Sequence, residues 1–326
     1  MSDTVLVTGA AGFIGSHLSE KLLDAGYRVV GLDSFDDYYP PALKRDNVRH
    51  AVSRDGFTLV EGDIRDAGLV DRVFGDYAID LVAHLAARAG VRHSIRQPGL
   101  YQDVNIGGTI NLLEASRGHD VKRFLFMSSS SVYGPGAVVP FREDAKLDNP
   151  GSPYAASKLA GELFCRTYHN LYGLPVTVIR PFTVYGPRQR PEMAISLFTR
   201  QISSGEEVTI LGDGTSERDY TYVSDIIDGT LKGLASPLDG FEIFNLGDSR
   251  PVNLISLVRL IEKALGKKAS LKYLPAQSGD VPVTFADITR ARERLGYRPL
   301  VPIEEGIARF VDWYRKSAAG VRYDYA

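Results

Sequence analysis

The chain has 326 residues, 44% of them hydrophobic and 24% charged, with a formal net charge of −2. That is enough for a large core and about two domains. A near-neutral balance offers no basic footprint for nucleic acid, and no apolar run exceeds the length of a strand, so no membrane span is expected.

The N-terminus, "MSDTVLVTG", enters a strand pattern at once, without the charged and long apolar regions of a signal peptide. Cys165 is the only cysteine, so no internal disulfide can form, and the cytoplasm is the expected location. The six histidines show no HxH or HxxxH pairing, and no metal site is expected. Through the first half, "TVLVTG", "YRVVGLD", "FTLVEGD", "IDLVAHLA", "RFLFMSS" and "LPVTVIRP" are short runs bounded by Gly, Pro or charge. Runs that are apolar throughout suit strands buried on both faces. Helical patterns such as "GSHLSEKLLDAG" and "NIGGTINLLEASRG" lie between them. The alternation predicts an α/β fold, a Rossmann-type doubly wound parallel sheet, over residues 1–180. After Pro181 the density of Pro, Gly and charge rises, and residues 181–326 read as a smaller α/β substrate domain. "FEIFNLG" reads as one more strand, so segments near 218–247 are expected to complete the first domain and the two to interleave.

"VTGAAGFIGSHL" follows the first strand, with Gly9, Gly12 and Gly15 spaced G-x-x-G-x-x-G. Missing side chains let backbone approach a pyrophosphate, and the helix that follows favours its charge. Asp33 ends the second strand, where a carboxylate bonds ribose hydroxyls and repels a 2′-phosphate. NAD is therefore expected over NADP. Asp63 in "GDIRD" reads either as an adenine contact or as the N-cap of the next helix. Further on, "SPYAASKLAGELF" carries Tyr154 and Lys158 on one helix face. A tyrosine is too weak a base at neutral pH, but a nearby ammonium and a cationic nicotinamide would favour its phenolate.

These residues together resemble the extended short-chain dehydrogenase/reductase family, through "TGAAGFIG", "HLAA", "SSSSVYG", the YxxxK pair, "RPFTVYGPRQRPEMA", "GDGTSERDYTYVSD" and "GDVPVTFADITRARERLGYRP". Within it, "DSFDDYYPPALKRDN" and "FTVYGPRQRPEMA" resemble the UDP-glucuronate 4-epimerases. The resemblance implies a homodimer acting on a UDP-sugar, with NAD held tightly and regenerated each turnover. It implies Ser129, Tyr154 and Lys158 as the catalytic set. It implies cofactor contacts from Phe13, Ile14, Ile64, Leu85, Ala86, Ala87 and Asn105 beside the glycines, Asp33, Asp63, Tyr154 and Lys158. Sugar contacts are implied for Ser128, Ser129, Ser130 and Tyr154, with Thr183 and Arg190 near a sugar carboxylate and Arg218 on the diphosphate. Arg88 and Arg92 are weaker candidates for that carboxylate. A second diphosphate arginine is usual where this chain has Gln277, which leaves half of that clamp in doubt. Family members that dehydrate or decarboxylate nucleotide sugars carry an acid in the serine loop, whereas here Ser131 directly precedes Val132. An extra elimination step needs that additional acid and base. Simple 4-epimerisation of UDP-glucuronate to UDP-galacturonate is the expected reaction. The alternatives are a UDP-glucose/galactose or UDP-N-acetylhexosamine 4-epimerase, then a decarboxylase or a non-catalytic NAD-binding protein.

Overall fold

In the computed structural model, residues 2–275 and 282–318 are described. Ten strands follow one another up to residue 246: β1 (Thr4–Thr8), β2 (Arg28–Asp33), β3 (Phe57–Glu61), β4 (Leu81–His84), β5 (Arg123–Met127), β6 (Val176–Pro181), β7 (Thr183–Tyr185), β8 (Glu207–Leu211), β9 (Glu217–Tyr222) and β10 (Phe241–Leu246). Seven of them form one sheet in the order β10-β6-β5-β4-β1-β2-β3. Every pairing in it is parallel. Alternate residues of β1 face opposite layers: Val5 and Val7 join one apolar cluster, Leu6 the other. Both faces are therefore dry, which is why these strands read as unbroken apolar runs.

The chain leaves β1 toward β2 and β3 on one side and returns to β4 on the other, so the order reverses between β1 and β4. A crevice opens at the carboxyl ends of strands at such a reversal. The edge strand β10 and the helix Val223–Leu234 come from the second half of the chain.

Beyond β6 the chain builds smaller sheets. β9 pairs with β7, with β11 (Pro251–Asn253) and with β13 (Val283–Thr284), while β8 pairs with β12 (Ser270–Leu274). The long helix Pro153–Tyr172 starts where Ser152 accepts the Ala155 N–H, with Pro153 in its first turn, and ends on left-handed Gly173. This start and stop are local, and they fix where Tyr154 and Lys158 stand. The helical pattern of 105–118 is split: its first residues belong to a π-helical stretch Gln102–Gly107, and the α-helix proper is Gly108–Gly118.

Candidate active site

A cavity of about 550 Å³ lies at the carboxyl ends of β1, β2, β4, β5 and β6. Its base is the glycine loop. Gly9 sits at φ 71°, and a Cβ there would stand 2.9 Å from the Ala86 N, where the loop after β4 presses in. A Cβ at Gly15 would lie 2.0 Å from the Gly9 carbonyl oxygen. Neither position can carry a side chain, so the turn stays tight and the helix Phe13–Asp24 starts against the cavity. Gly9, Gly12, Phe13, Ile14, Gly15, Asp33, Asp63, Ile64, Leu85, Ala86 and Ala87 all line it.

Asp33 is buried at the end of β2, with one oxygen taking the Ala11 N–H and the other the Phe35 N–H, each at 2.9 Å. Burial pushes its carboxyl up, against the pull of those bonds and of Lys44. Each oxygen keeps a second lone pair for a diol. Asp63 turns its carboxylate onto Arg65, at 2.6 Å, and it is Asp66 that caps the next helix by accepting the Leu69 N–H. Asn105 differs from expectation, because it stands outside the lining. It brackets Arg88 through the Arg88 N–H and carbonyl at 2.8 and 3.0 Å, and donates to Ser157 Oγ at 2.9 Å. Its effect on the cavity runs through the loop after β4, which it ties to the helix of Tyr154.

The strand end Met127–Ser129 meets the helix face of Tyr154 and Lys158. Ser129 caps a short turn over Ser130–Tyr133, accepting the Ser131 N–H at 3.1 Å, and its hydroxyl lies beside the Tyr154 phenol. Burial pushes that phenol up; Ser129 and the Arg190 charge pull it back only in part. The protein's own side chains therefore do not make a phenolate here. Lys158 is buried, donates to the Met127 carbonyl at 2.8 Å, and is held down to about 8 by desolvation. Ser128 also differs from expectation. Its backbone borders the cavity, but its hydroxyl points backward and donates to Glu162. Ser130, Ser131 and Thr183 also line the cavity.

The rim is a charged cluster whose pairings the sequence does not reveal. Asp36 bridges Lys44 at 2.6 Å and Arg88 at 3.0 Å, so the loop after β2 is tied to the loop after β4 across the glycine turn. The guanidiniums of Arg88 and Arg190 both lie over the Tyr38 ring, 5.1 and 5.5 Å from its centroid. Arg190 lines the cavity and pairs with Glu192 at 3.3 Å. Its segment is anchored to the cofactor helix: His17 Nε2 meets the Pro187 carbonyl at 2.9 Å and Arg188 bonds Glu20 at 2.8 Å. Burial and Arg188 hold the His17 imidazole down at about 4, so that anchor is uncharged at neutral pH. Arg92 is exposed and outside the lining. Arg218 on β9 is also outside it, donating to the carbonyls of Glu217 and Pro282 at 2.8 and 3.4 Å. Gln277 lies outside the described residues.

With this geometry in hand, the pattern of the NAD dependent epimerase/dehydratase family matches residues 5–247. A UDP-glucuronate 4-epimerase of Thermodesulfobacterium geofontis is 44% identical over 313 residues, covering 96% of each chain. One of Arabidopsis thaliana is 44% identical over 328 residues, covering 95% of this chain and 75% of the relative. The crystal structure of the UDP-glucuronic acid 4-epimerase of Bacillus cereus, in complex with UDP-glucuronic acid and NAD, superposes with a TM-score of 0.91 at 38% identity, covering 96% of this chain and 99% of that one.

Proposed function

Because the chain belongs to the NAD dependent epimerase/dehydratase family, we infer that it is an NAD-dependent 4-epimerase interconverting UDP-glucuronate and UDP-galacturonate. One observation carries the reading. Ser129, Tyr154 and Lys158 share a single cavity with the glycine loop, Asp33, Thr183 and Arg190.

The residues present fit NAD. The glycine turn leaves no room for a side chain, and Asp33 offers free lone pairs and a charge that disfavours a 2′-phosphate. When bound, NAD supplies the hydride acceptor and donor at C4 of the sugar. Tyr154 takes the proton of the 4-hydroxyl and later returns it. Ser129 hydrogen-bonds the same oxygen and steadies it between the two states. Lys158, one helical turn from Tyr154, is a cation below about pH 8, and a cation brought to the phenol favours the phenolate.

Arg190 and Thr183 hold the sugar carboxylate. A guanidinium gives a carboxylate forked, charge-assisted donors, and the half-exposed Glu192 gives up Arg190 when the substrate arrives. The chemistry stops at epimerisation because, among the described residues, no acid lines the sugar end of the cavity, Glu192 beside Arg190 standing outside the lining. The lining carboxylates Asp33, Asp36, Asp37 and Asp63 belong to the side of β2 and β3. Arg218 is assigned to the diphosphate on the family resemblance.

The chain works as a homodimer. Ile95, Leu163, Leu171 and Tyr172 are exposed apolar residues on the packed helices Val91–Arg96 and Pro153–Tyr172, and covering such a patch stabilises association. A cytoplasmic setting suits its one buried free thiol, Cys165. Among the described residues, no helix is long and apolar enough to cross a membrane.

Incubation of the purified protein with UDP-glucuronate, without added NAD, followed by proton NMR, tests the assignment. UDP-galacturonate is the expected product. UDP-pentose would overturn the account of carboxylate protection, and turnover of UDP-glucose alone would overturn the choice of sugar.

A further inference from the structure

The serine turn is held from behind by a buried charge pair that the proposed reaction does not use. Ser128 Oγ donates to Glu162, and Arg180 closes on the same carboxylate with Nε to Oε1 at 2.9 Å and Nη2 to Oε2 at 2.6 Å. The two side chains are 5% and 2% exposed. Arg180 Nη1 also donates to the Tyr133 hydroxyl at 3.1 Å, and that hydroxyl donates to Asn245 Oδ1 at 2.7 Å. The helix Pro153–Tyr172, β6, β10 and the segment after β5 thus meet at one point.

The arrangement has a register. Tyr154, Lys158 and Glu162 stand at successive turns of one helix face. The three consecutive residues at the end of β5 face them. Ser129 lies beside Tyr154, the Met127 carbonyl accepts from Lys158 at 2.8 Å, and Ser128 donates to Glu162. Glu162 and Arg180 line no part of the cavity. An apolar pair of similar volume is often as stable as a buried ion pair, so stability alone does not account for charge at this point.

We propose that Glu162, neutralised by Arg180, is a positioning residue that locks the end of β5 to the helix of Tyr154 and keeps the Ser129 and Tyr154 hydroxyls in register. The proposal rests on the roles given above to those two hydroxyls.

Three full-length variants test it: Ser128→Ala, the double variant Glu162→Leu with Arg180→Met, and all three substitutions together. Their kcat and KM with UDP-glucuronate, bound NAD and melting temperature are measured beside the wild type. Ser128→Ala and the double variant should each lower kcat about ten- to a hundredfold, with KM, NAD content and melting temperature little changed. The triple variant should lose no more than the double, because both changes cut the same link. Wild-type kcat in Ser128→Ala and the double variant would overturn the proposal, and so would losses that multiply in the triple. Ser128→Ala removes no charge and decides the matter where the double variant fails to fold. A wild-type chain that holds NAD but leaves UDP-glucuronate unchanged would sink the functional reading, and this proposal with it. Unaffected variants in an active background would sink the proposal alone.

Discussion

At the floor of the cavity and just behind it, Lys158 is buried on the Met127 carbonyl and Ser128, Glu162 and Arg180 are buried and bonded to one another, whereas at the rim Asp36 pairs with Lys44 and Arg88, and Arg190 with Glu192. The floor consists of groups that pay fully for desolvation, so each must have a partner and a fixed place. In the rim pairs the carboxylates stay partly open to water, 34% for Asp36 and 40% for Glu192, so these pairs can exchange a protein partner for a ligand charge. Chemistry belongs to the first region and choice of substrate to the second. A floor substitution should therefore cost kcat at every sugar, and a rim substitution should cost kcat/KM at the acid sugar.

Tyr154→Phe is the sharpest test of the floor. Turnover should fall about a thousandfold while NAD content, read by absorbance after denaturation, stays as in the wild type. An active Tyr154→Phe protein would remove the floor from the chemistry. Lys158→Met should lower kcat about a hundredfold and still melt no lower than the wild type at pH 7. The sign follows from the proton count: folding holds Lys158 at about 8, below its ordinary 10.5, so the unfolded chain binds more protons between those values. Wild-type stability then carries a penalty at neutral pH, on the order of 3 kcal/mol, which is relieved as pH rises from about 8 toward 10.5. Thermal melts across that range should show the rise in the wild type and not in the methionine variant.

At the rim, Arg190→Ala should lower kcat/KM for UDP-glucuronate about ten- to a hundredfold and leave any UDP-glucose turnover nearly unchanged. Equal losses on both sugars, seen by NMR, would move Arg190 to the floor. Asp36→Asn should have a smaller effect. Burial pushes the Asp36 carboxyl up, but the Lys44 bond and charge and the Arg88 charge outweigh it and hold the group below its ordinary 3.8. Its stabilisation is present above that value and lost as pH falls through the lower folded one. The difference in melting temperature between wild type and Asp36→Asn should be full at pH 7 and close as pH falls below 3.8. Smallest for activity is Leu163→Glu, which should shift the protein toward monomer in sedimentation while kcat barely moves.

The two regions were not equally legible in the sequence. The glycine turn could be read because clearance is written as absent side chains at Gly9, Gly12 and Gly15. Tyr154 and Lys158 could be read because a helix brings residues four apart together whatever surrounds it. Ser129 was legible by family resemblance. Arg190 and Arg88 were likewise named by resemblance, but the pairings of the rim were not legible: Asp36 and Arg88 pair across the loops of two strands that flank β1. Tyr133, just past the serines, carries a buried hydroxyl bonded to Arg180 and Asn245, which its local sequence does not announce. The polar commitments of Asn105 and Ser128 likewise depend on Arg88, Ser157 and Glu162, which no local pattern connects to them.

The sequence by itself determined what is local in the chain: apolar runs buried on both faces, a turn that admits no side chain, a helix with its cap, and a serine loop without an acid. Tertiary structure decided what depends on strand order. It set β10 beside β6, closed Arg180 on Glu162, and swung Arg190 over Tyr38. The reason is range: backbone geometry and side-chain periodicity act over a few residues, whereas the partner of a buried charge is whichever residue the fold delivers within about 3 Å.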